Sequence, residues 1–197
     1  FLPRTLPYLL RAPAHTLSTE AVAMLMGRLT RDPEWLRSAG GLSLSPDTDE
    51  DIRRQQRTSL LVSARWILVM VYFERELYRN PDRDDLNRFW WDLVEELQLV
   101  RRPPGRDEPD WASKIHFTIA PVYYHNYLLG ELMASQLGES MRKAAAGDAR
   151  VETEVGRFLQ ERLFALGASL HWNEALASAT GETLSTDTFI REFVDPA

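Results

Sequence analysis

The sequence predicts an all-α protein, and three observations support this prediction. Apolar residues recur at helical spacing over long segments, no segment alternates polar and apolar residues over the length of a strand, and no repeat of solenoid period is present. The chain has 197 residues, of which 44% are hydrophobic, and this is enough to bury one core. We therefore expect a single multi-helix domain over residues 1–197.

The predicted helices follow one another along most of the chain. Residues 1–14 hold three of the eleven prolines and are expected to be irregular. At most a short β-ribbon is expected there. Ser18 is predicted to cap the first helix. The expected segments are, in chain order, a helix from Thr16 up to Asp32, a short turn from Pro33, a long helix from about Asp49 to Arg79, a helix from about Arg83 to Val100, a tyrosine-bearing helix that ends near Gly147, a helix capped by Asp148 that runs to about Leu166 and closes at Gly167, a helix from Trp172 to Thr180, and a last short helix after Ser185.

Polar groups concentrate in one stretch, residues 114–137. It opens with Lys114 and His116, and a largely buried helix is then expected to carry Tyr124 and Tyr127 in its first turns. Three residues apart on a helix, the two hydroxyls would lie on one face. Because buried tyrosine hydroxyls need hydrogen-bond partners, the stretch is predicted to form the polar wall of a cleft. The alternative is an aromatic cluster at helical spacing that belongs only to the core.

Glu20 is a candidate metal ligand. It lies in the first turn of its helix, where the helix dipole favours a carboxylate, and this is the ordinary interpretation. Its helical neighbours Ala23, Met24 and Gly27 are small or apolar, however, so the carboxylate would be poorly solvated unless a cation or a metal met it.

Composition excludes several classes of site. The chain has no cysteine, so it has neither disulfides nor thiolate metal ligands. Its net charge is -6 with basic residues scattered among acidic ones, and its longest strongly apolar run is Trp66 to Phe73, so we expect neither nucleic acid nor a membrane as a partner. The histidines are too scattered to indicate a zinc site by spacing, and His15 and His171 are expected to cap or begin helices.

Three ordered segments carry a resemblance to a known family. The first reads Leu6-Pro-Tyr-Leu-Leu-Arg11-Ala-Pro-Ala14 and is followed by Thr19-Glu20-Ala21. The second combines Lys114-Ile-His116 with the pair Tyr124 and Tyr127. The third reads Leu166-Gly-Ala-Ser169-Leu-His-Trp172-Asn-Glu174-Ala-Leu176 and ends at Thr180-Gly181. In this order they resemble the C-terminal part of angiotensin-converting enzyme and its bacterial relatives, which are gluzincin zinc peptidases. The related thimet oligopeptidase group has a similar tyrosine-rich helix.

The resemblance implies the C-terminal portion of a larger helical peptidase domain, in which a metal-activated water hydrolyses the peptide bond. Zinc would be held by two histidines of an H-E-x-x-H motif and by Glu20. That motif is absent here and is expected just upstream of Phe1, so the chain is interpreted as a fragment. Thr19 and Met24 stand where the family has His and Asp beside this glutamate. With one of three ligands, the fragment is expected to retain no zinc and to cleave no peptide, whereas the full-length parent would hold zinc.

The resemblance also implies how a peptide substrate would be bound. Tyr127 would donate a hydrogen bond to the oxyanion, and His116 would bond a substrate carbonyl. Lys114 and Tyr124 would hold the C-terminal carboxylate of a peptide. Because the alignment needs a one-residue shift, Tyr123, Tyr124 and Tyr127 are partly interchangeable in these roles.

The competing prediction is a non-catalytic helical module, a pseudopeptidase, whose tyrosine cleft binds a peptide or a partner helix. In either case the fragment is expected to self-associate through apolar surface exposed by the truncation.

Overall fold

The computed structural model of the chain describes residues 3–145 and 151–195, and their side chains except those of residues 151–154. Within these residues every regular element is helical and no strand occurs, so the all-α prediction is confirmed. The chain divides into two compact units. Unit 1 comprises Phe1–Arg53 and Leu129–Ala197, and unit 2 comprises Arg54–Leu128. The expectation of one domain over residues 1–197 stays a prediction.

The helices occur in the predicted order. They are α1 (Thr16–Leu29), α2 (Pro33–Ser38), α3 (Pro46–Arg79), α4 (Leu86–Leu93), α5 (His125–Ala145), α6 (Val151–Arg162), α7 (Trp172–Thr180) and α8 (Asp187–Phe189). Short 3-10 turns lie at Tyr8–Leu10, Asp110–Ser113, Ile115–Phe117 and Phe164–Leu166, and π-helical turns continue α4 over Val94–Gln98 and α8 over Ile190–Val194. No helix in the described ranges combines the length and the apolar character needed to cross a bilayer.

Unit 1 is built on the packing of α1 against α5. Helix α1 buries Leu17, Ala21 and Leu25, which recur every four residues and so lie on one face. They share a core with residues of α5, α6 and α7 and of the turn after α6, which are Met133, Ala134, Leu137, Met141, Leu159, Leu163 and Leu176.

A buried ion pair also joins α1 to α5. Arg28 donates to the Glu131 carboxylate at 2.6 Å and to the Ser135 hydroxyl at 3.0 Å, and it approaches Glu192 at 3.4 Å. Its side chain is mostly buried, as is that of Glu131. Because a buried charge is tolerated only when it is paired, this network fixes how α1 lies on α5.

Unit 2 is built around the ring of Phe73, which α3 buries completely. Its centroid lies 5.2 Å from that of Trp90, 5.3 Å from that of Trp111 and 5.4 Å from that of Phe117. Aromatic pairs at such distances add about 0.5–1.5 kcal/mol each beyond the burial of apolar area. Helix α4 and both 3-10 turns that precede α5 are thereby packed on one side chain.

Helix α1 begins where predicted, but its cap is His15 rather than Ser18. His15 has extended dihedral angles, and its Nδ1 accepts a hydrogen bond from the Leu17 N–H at 3.2 Å. Ser18 is buried inside the helix, and its Oγ has no hydrogen-bond partner among the described residues. The Ser18 prediction was wrong because the cap is the last residue before the helical dihedral angles begin. The predictions for His15 and His171 are confirmed, since His171 forms a capping box with Glu174 at the start of α7.

The N-terminal segment is a curled turn, not a ribbon. Residues 3–14 form the 3-10 turn Tyr8–Leu10 and no strand. The Arg11 guanidinium donates to the Leu6 carbonyl at 2.7 Å and to the Arg4 carbonyl at 2.5 Å, so the chain folds back on itself. The ribbon prediction was therefore wrong for this segment.

Several helix boundaries differ from the prediction. Helix α3 begins at Pro46 because the Ser45 hydroxyl accepts from the Thr48 N–H and proline suits the first helical position. Helix α4 starts later than Arg83, which instead pairs with Asp85, and its π-helical turn ends at Leu99 with a left-handed φ of 57°. The predicted helix end near Gly147 and the predicted cap at Asp148 lie outside the described residues.

The turn at Gly167 requires glycine. Its φ is 52°, and a Cβ there would lie 2.3 Å from the Leu10 carbonyl oxygen and 2.8 Å from Leu6 Cδ1. The Ala168 N–H donates to the same Leu10 carbonyl at 3.0 Å. The segment after α6 therefore packs on the curled N-terminal segment, and the approach is too close for any side chain.

We expect Gly167→Ala to lower the free energy of unfolding by about 2 kcal/mol or more, because it adds a backbone clash to an unfavourable φ. Gly181→Ala is the matched control. Gly181 has a φ of 92°, and a Cβ added there would meet nothing within 4 Å, so only backbone strain applies, at about 1 kcal/mol. Urea unfolding of both variants gives the comparison. Equal losses would contradict the close approach of Gly167 to Leu10.

Candidate functional site

Lys114, His116, Tyr123, Tyr124 and Tyr127 all belong to unit 2, and the last four come together there. The His116 ring centroid lies 6.1 Å from that of Tyr123, 4.7 Å from that of Tyr124 and 5.9 Å from that of Tyr127. His116 Nε2 is 3.3 Å from the Tyr127 hydroxyl, which is within hydrogen-bond distance. The structure thus brings together four of the residues singled out in the sequence, His116, Tyr123, Tyr124 and Tyr127, and we call them the histidine–tyrosine cluster.

The three tyrosines of the cluster were predicted to lie together in the first turns of the helix, but two of them lie in the turn before it. Helix α5 begins at His125, so Tyr123 and Tyr124 precede it. The helix was predicted to begin earlier, but Val122 has a φ of 55°, which is incompatible with a right-handed helix. The rings of Tyr124 and Tyr127 nevertheless pack with centroids 5.1 Å apart, because the turn places them edge to face.

Trp66 of α3 fixes the direction of the Tyr124 hydroxyl. The indole Nε1 of Trp66 lies 2.9 Å from this hydroxyl oxygen. An indole nitrogen can only donate, so the Tyr124 oxygen is the acceptor and its own hydrogen can donate to a third group. Tyr124 is thereby oriented as a hydrogen-bond donor. Trp66 was not predicted as a site residue, although a tryptophan inside a helix signals that its N–H needs an acceptor.

Lys114 lies against the faces of two tryptophans. Its Nζ is 5.6 Å from the ring centroid of Trp66 and 5.9 Å from that of Trp90, distances at which a cation is attracted by the π face. Within the described parts of the chain it forms no ion pair. Its charge acts at longer range on Asp110, whose pKa is held below its usual range, first by hydrogen bonds from Arg106, then by the Trp91 N–H and by the charges of Arg106 and Lys114.

Taken together, Lys114 and Tyr124 offer a cation and a donor hydroxyl that both contact Trp66. A cation and a hydroxyl that donates are the groups that bind a carboxylate. The geometry of unit 2 therefore suits an anionic group beside Trp66.

Glu20 belongs to unit 1, where it lies half-buried on α1. Helices α1 and α5 approach closely beside it, because a Cβ at Gly130 would lie 3.1 Å from the Glu20 Cβ and 3.2 Å from the Met24 sulfur. The Thr19 hydroxyl donates to the Thr16 carbonyl of its own turn at 2.7 Å. Whether Glu20 and the histidine–tyrosine cluster face one cavity stays a prediction.

Zinc sites in proteins are made by histidine, cysteine and carboxylate side chains, usually three or four together. Among the residues that the structure describes, no three such side chains are grouped where they could hold a metal ion. Glu20 suits a metal site by the chemistry of its carboxylate, as one ligand of a set.

Unit 1 also contains an apolar cavity of about 390 Å³ along the other side of α1. Its lining residues are Pro13, Ala14, Ser18, Thr19, Val22, Ala23, Met26, Leu163, Phe164, Gly167 and Ala175. Glu20 is not among them, so this cavity does not extend to the candidate ligand.

We expect the Trp66–Tyr124 hydrogen bond to be measurable by a double-mutant cycle. Trp66→Phe and Tyr124→Phe each remove one partner, and the double variant removes both. The coupling energy should be about 0.5–1.5 kcal/mol in urea unfolding, because the bond is partly buried. Additive losses would show that the two side chains do not interact.

Comparison with known proteins agrees with the resemblance noted in the sequence. The chain matches the family model described as angiotensin-converting enzyme, Peptidase M2, over residues 3–197. A protein of Haematobia irritans exigua named angiotensin-converting enzyme is 26% identical over 208 residues, covering 96% of this chain and 34% of that protein. A mouse protein named angiotensin-converting enzyme-like protein Ace3 is 31% identical over 116 residues, covering 54% of this chain and 16% of that protein.

The chain thus spans about a third of the length of the first relative and a smaller part of the second. The family match, by contrast, extends over nearly every residue and includes all three segments that carry the resemblance. On that ground, the chain belongs to the angiotensin-converting enzyme family.

Proposed function

We propose that this chain is part of a zinc-dependent peptidase. In this proposal it supplies the carboxylate ligand Glu20 and the wall against which a peptide substrate lies, formed by Lys114 and the histidine–tyrosine cluster. The observation that carries the proposal is the family match over residues 3–197. The donor arrangement around Trp66 supports it.

The substrate-binding roles follow from the chemistry of each side chain. Lys114 and Tyr124 would hold the C-terminal carboxylate of a peptide, since one is a cation and the other an oriented donor. His116 would bond a substrate carbonyl. Tyr127, whose hydroxyl lies 3.3 Å from His116 Nε2, would donate to the oxyanion that forms during hydrolysis. Tyr123 packs on Tyr127, with ring centroids 5.4 Å apart, and would border the same subsite.

In this proposal zinc would supply Lewis-acid chemistry, and Glu20 would be one of its three protein ligands, the other two coming from an H-E-x-x-H motif. Since tight zinc binding needs about three protein ligands in fixed geometry, we expect the purified 197-residue chain to retain no zinc. Metal analysis after dialysis against zinc-containing buffer measures this. Stoichiometric zinc in the wild-type chain and none in Glu20→Gln would contradict the requirement for three protein ligands. That result would nevertheless support Glu20 as a ligand.

The gene region that precedes the codon for Phe1 distinguishes a peptidase from a non-catalytic binding module. An intact H-E-x-x-H motif in the same reading frame would support the peptidase. A degenerate motif would favour a pseudopeptidase that binds a peptide or a partner helix through the same tyrosines.

We expect the chain to bind a peptide with a free C-terminal carboxylate more tightly than the same peptide with an amidated C terminus. Lys114→Gln should weaken binding of the free acid by about tenfold or more, because it removes a charge-assisted contact, and should leave the amide nearly unaffected. Tryptophan fluorescence suits the titration, since Trp66 contacts both proposed carboxylate ligands.

The other lysine of the chain provides the matched control. Lys143 lies on α5 in unit 1 and pairs with Glu139 at 2.9 Å, so Lys143→Gln should leave peptide affinity unchanged. Equal affinity for the acid and the amide, or an equal loss in both lysine variants, would refute the carboxylate subsite.

A further inference from the structure

Val122 has a backbone conformation that a β-branched residue rarely adopts. Its φ is 55°, in the left-handed region, and it lies between Pro121 and Tyr123 at the point where the chain turns into the histidine–tyrosine cluster. Such a conformation is unfavourable for a residue with a branched side chain and persists only where the surroundings hold it. Something in unit 2 must therefore stabilise this turn.

Glu74 is the group that contacts it. Its Oε1 accepts a hydrogen bond from the Val122 N–H at 2.6 Å, a length typical of a strong, charge-assisted bond. The same oxygen accepts a bond from the Tyr78 hydroxyl at 3.3 Å. Glu74 lies on α3 next to Phe73, and only 6% of its surface is exposed.

A buried carboxylate is costly unless its partners compensate for the lost water. Glu74 forms no ion pair within the described residues, and the Val122 N–H and the Tyr78 hydroxyl donate to it instead. The charge of Glu74 acts on Tyr78, whose pKa is raised, first by burial and then by this carboxylate. The bond to Val122 is thus the shorter of the two contacts that stabilise a charge inside unit 2.

The turn that Glu74 holds is connected to the start of α5. The carbonyl of Tyr123, the next residue, accepts from the Asn126 backbone N–H at 3.0 Å and from the Asn126 side-chain amide at 2.9 Å. Asn126 is itself buried. A displacement of Val122 would therefore change the direction in which Tyr123 and Tyr124 leave the turn.

We propose that Glu74 is a positioning residue for the substrate-binding wall: its carboxylate holds Val122 in the left-handed conformation, and that conformation aims Tyr123 and Tyr124 toward His116. The substrate role of the wall rests on the proposed function, whereas the structural relation between Glu74 and the tyrosines does not. No step of hydrolysis is assigned to Glu74 itself.

Two substitutions separate this role from a general contribution to stability. Glu74→Ala removes the acceptor, so the Val122 amide should exchange with solvent at least about tenfold faster, and the ring signals of His116 and Tyr124 should shift in the NMR spectrum. Adding Val122→Gly should restore those ring signals, because glycine adopts a positive φ without strain and needs no anchor. If Glu74 contributed only to stability, a glycine at position 122, which is 48 residues away, would not restore the ring signals.

Tyr78→Phe is the control, because it removes the other bond to Glu74 and leaves the bond to Val122 in place. It should change neither the exchange of the Val122 amide nor the ring signals. If Glu74→Ala does not fold, Glu74→Gln takes its place, and its neutral acceptor should speed exchange severalfold. Ring signals and Val122 exchange that match the wild type in a folded Glu74 variant would overturn the proposal.

Peptide affinity is measured separately on the same variants. If the wild-type chain binds no peptide, the proposed function fails while the NMR comparison still decides the role of Glu74. If the wild-type chain binds peptide and Glu74→Ala weakens binding about tenfold, with recovery in the double variant with Val122→Gly, both proposals hold. Unchanged affinity together with shifted ring signals would confine Glu74 to the tyrosine geometry and overturn its role in substrate binding.

Discussion

Unit 2 depends on the burial of one side chain, that of Phe73. Its ring contacts Trp90 of α4, Trp111 of the first 3-10 turn and Phe117 of the second. Those two turns are short and have few hydrogen bonds of their own, so packing against the Phe73 ring holds them in position. Lys114 and His116 lie in or beside these turns, and their positions therefore follow from the core of unit 2.

Buried polar groups orient the candidate site, because they need hydrogen-bond partners in place of water. The Trp66 N–H and the Glu74 carboxylate are both carried by α3, and each needs a partner of the opposite kind. The Trp66 N–H donates to the Tyr124 hydroxyl, and the Glu74 carboxylate accepts from the Val122 N–H. A single helix therefore contacts both the hydroxyl and the turn that precedes it. In unit 1, the buried ion pair between Arg28 and Glu131 likewise fixes how α1 packs on α5.

The three sequence segments that carry the family resemblance have different physical roles. The first and third pack on each other in unit 1, where the Leu10 carbonyl accepts from Ala168 and leaves no room for a side chain at Gly167. Much of their pattern is therefore structural. The second segment, with Lys114, His116 and Tyr127, offers polar groups in unit 2 and is the one to which we assign substrate binding.

Local chemistry in the sequence was sufficient to predict the helices, the helix entry at His171 and the glycine turn at Gly167, because spacing and capping act over a few residues. It also singled out Lys114 to Tyr127 as a candidate site, whose side chains lie close together in the structure. The exact start of α5 depended on the left-handed conformation of Val122, whose N–H donates to Glu74, 48 residues away in the chain. The orientation of Tyr124 likewise depends on Trp66, which is 58 residues away. Periodicity says which face of a helix is buried, but only the folded chain decides which buried donor meets which acceptor, since that pairing is made across elements far apart in sequence.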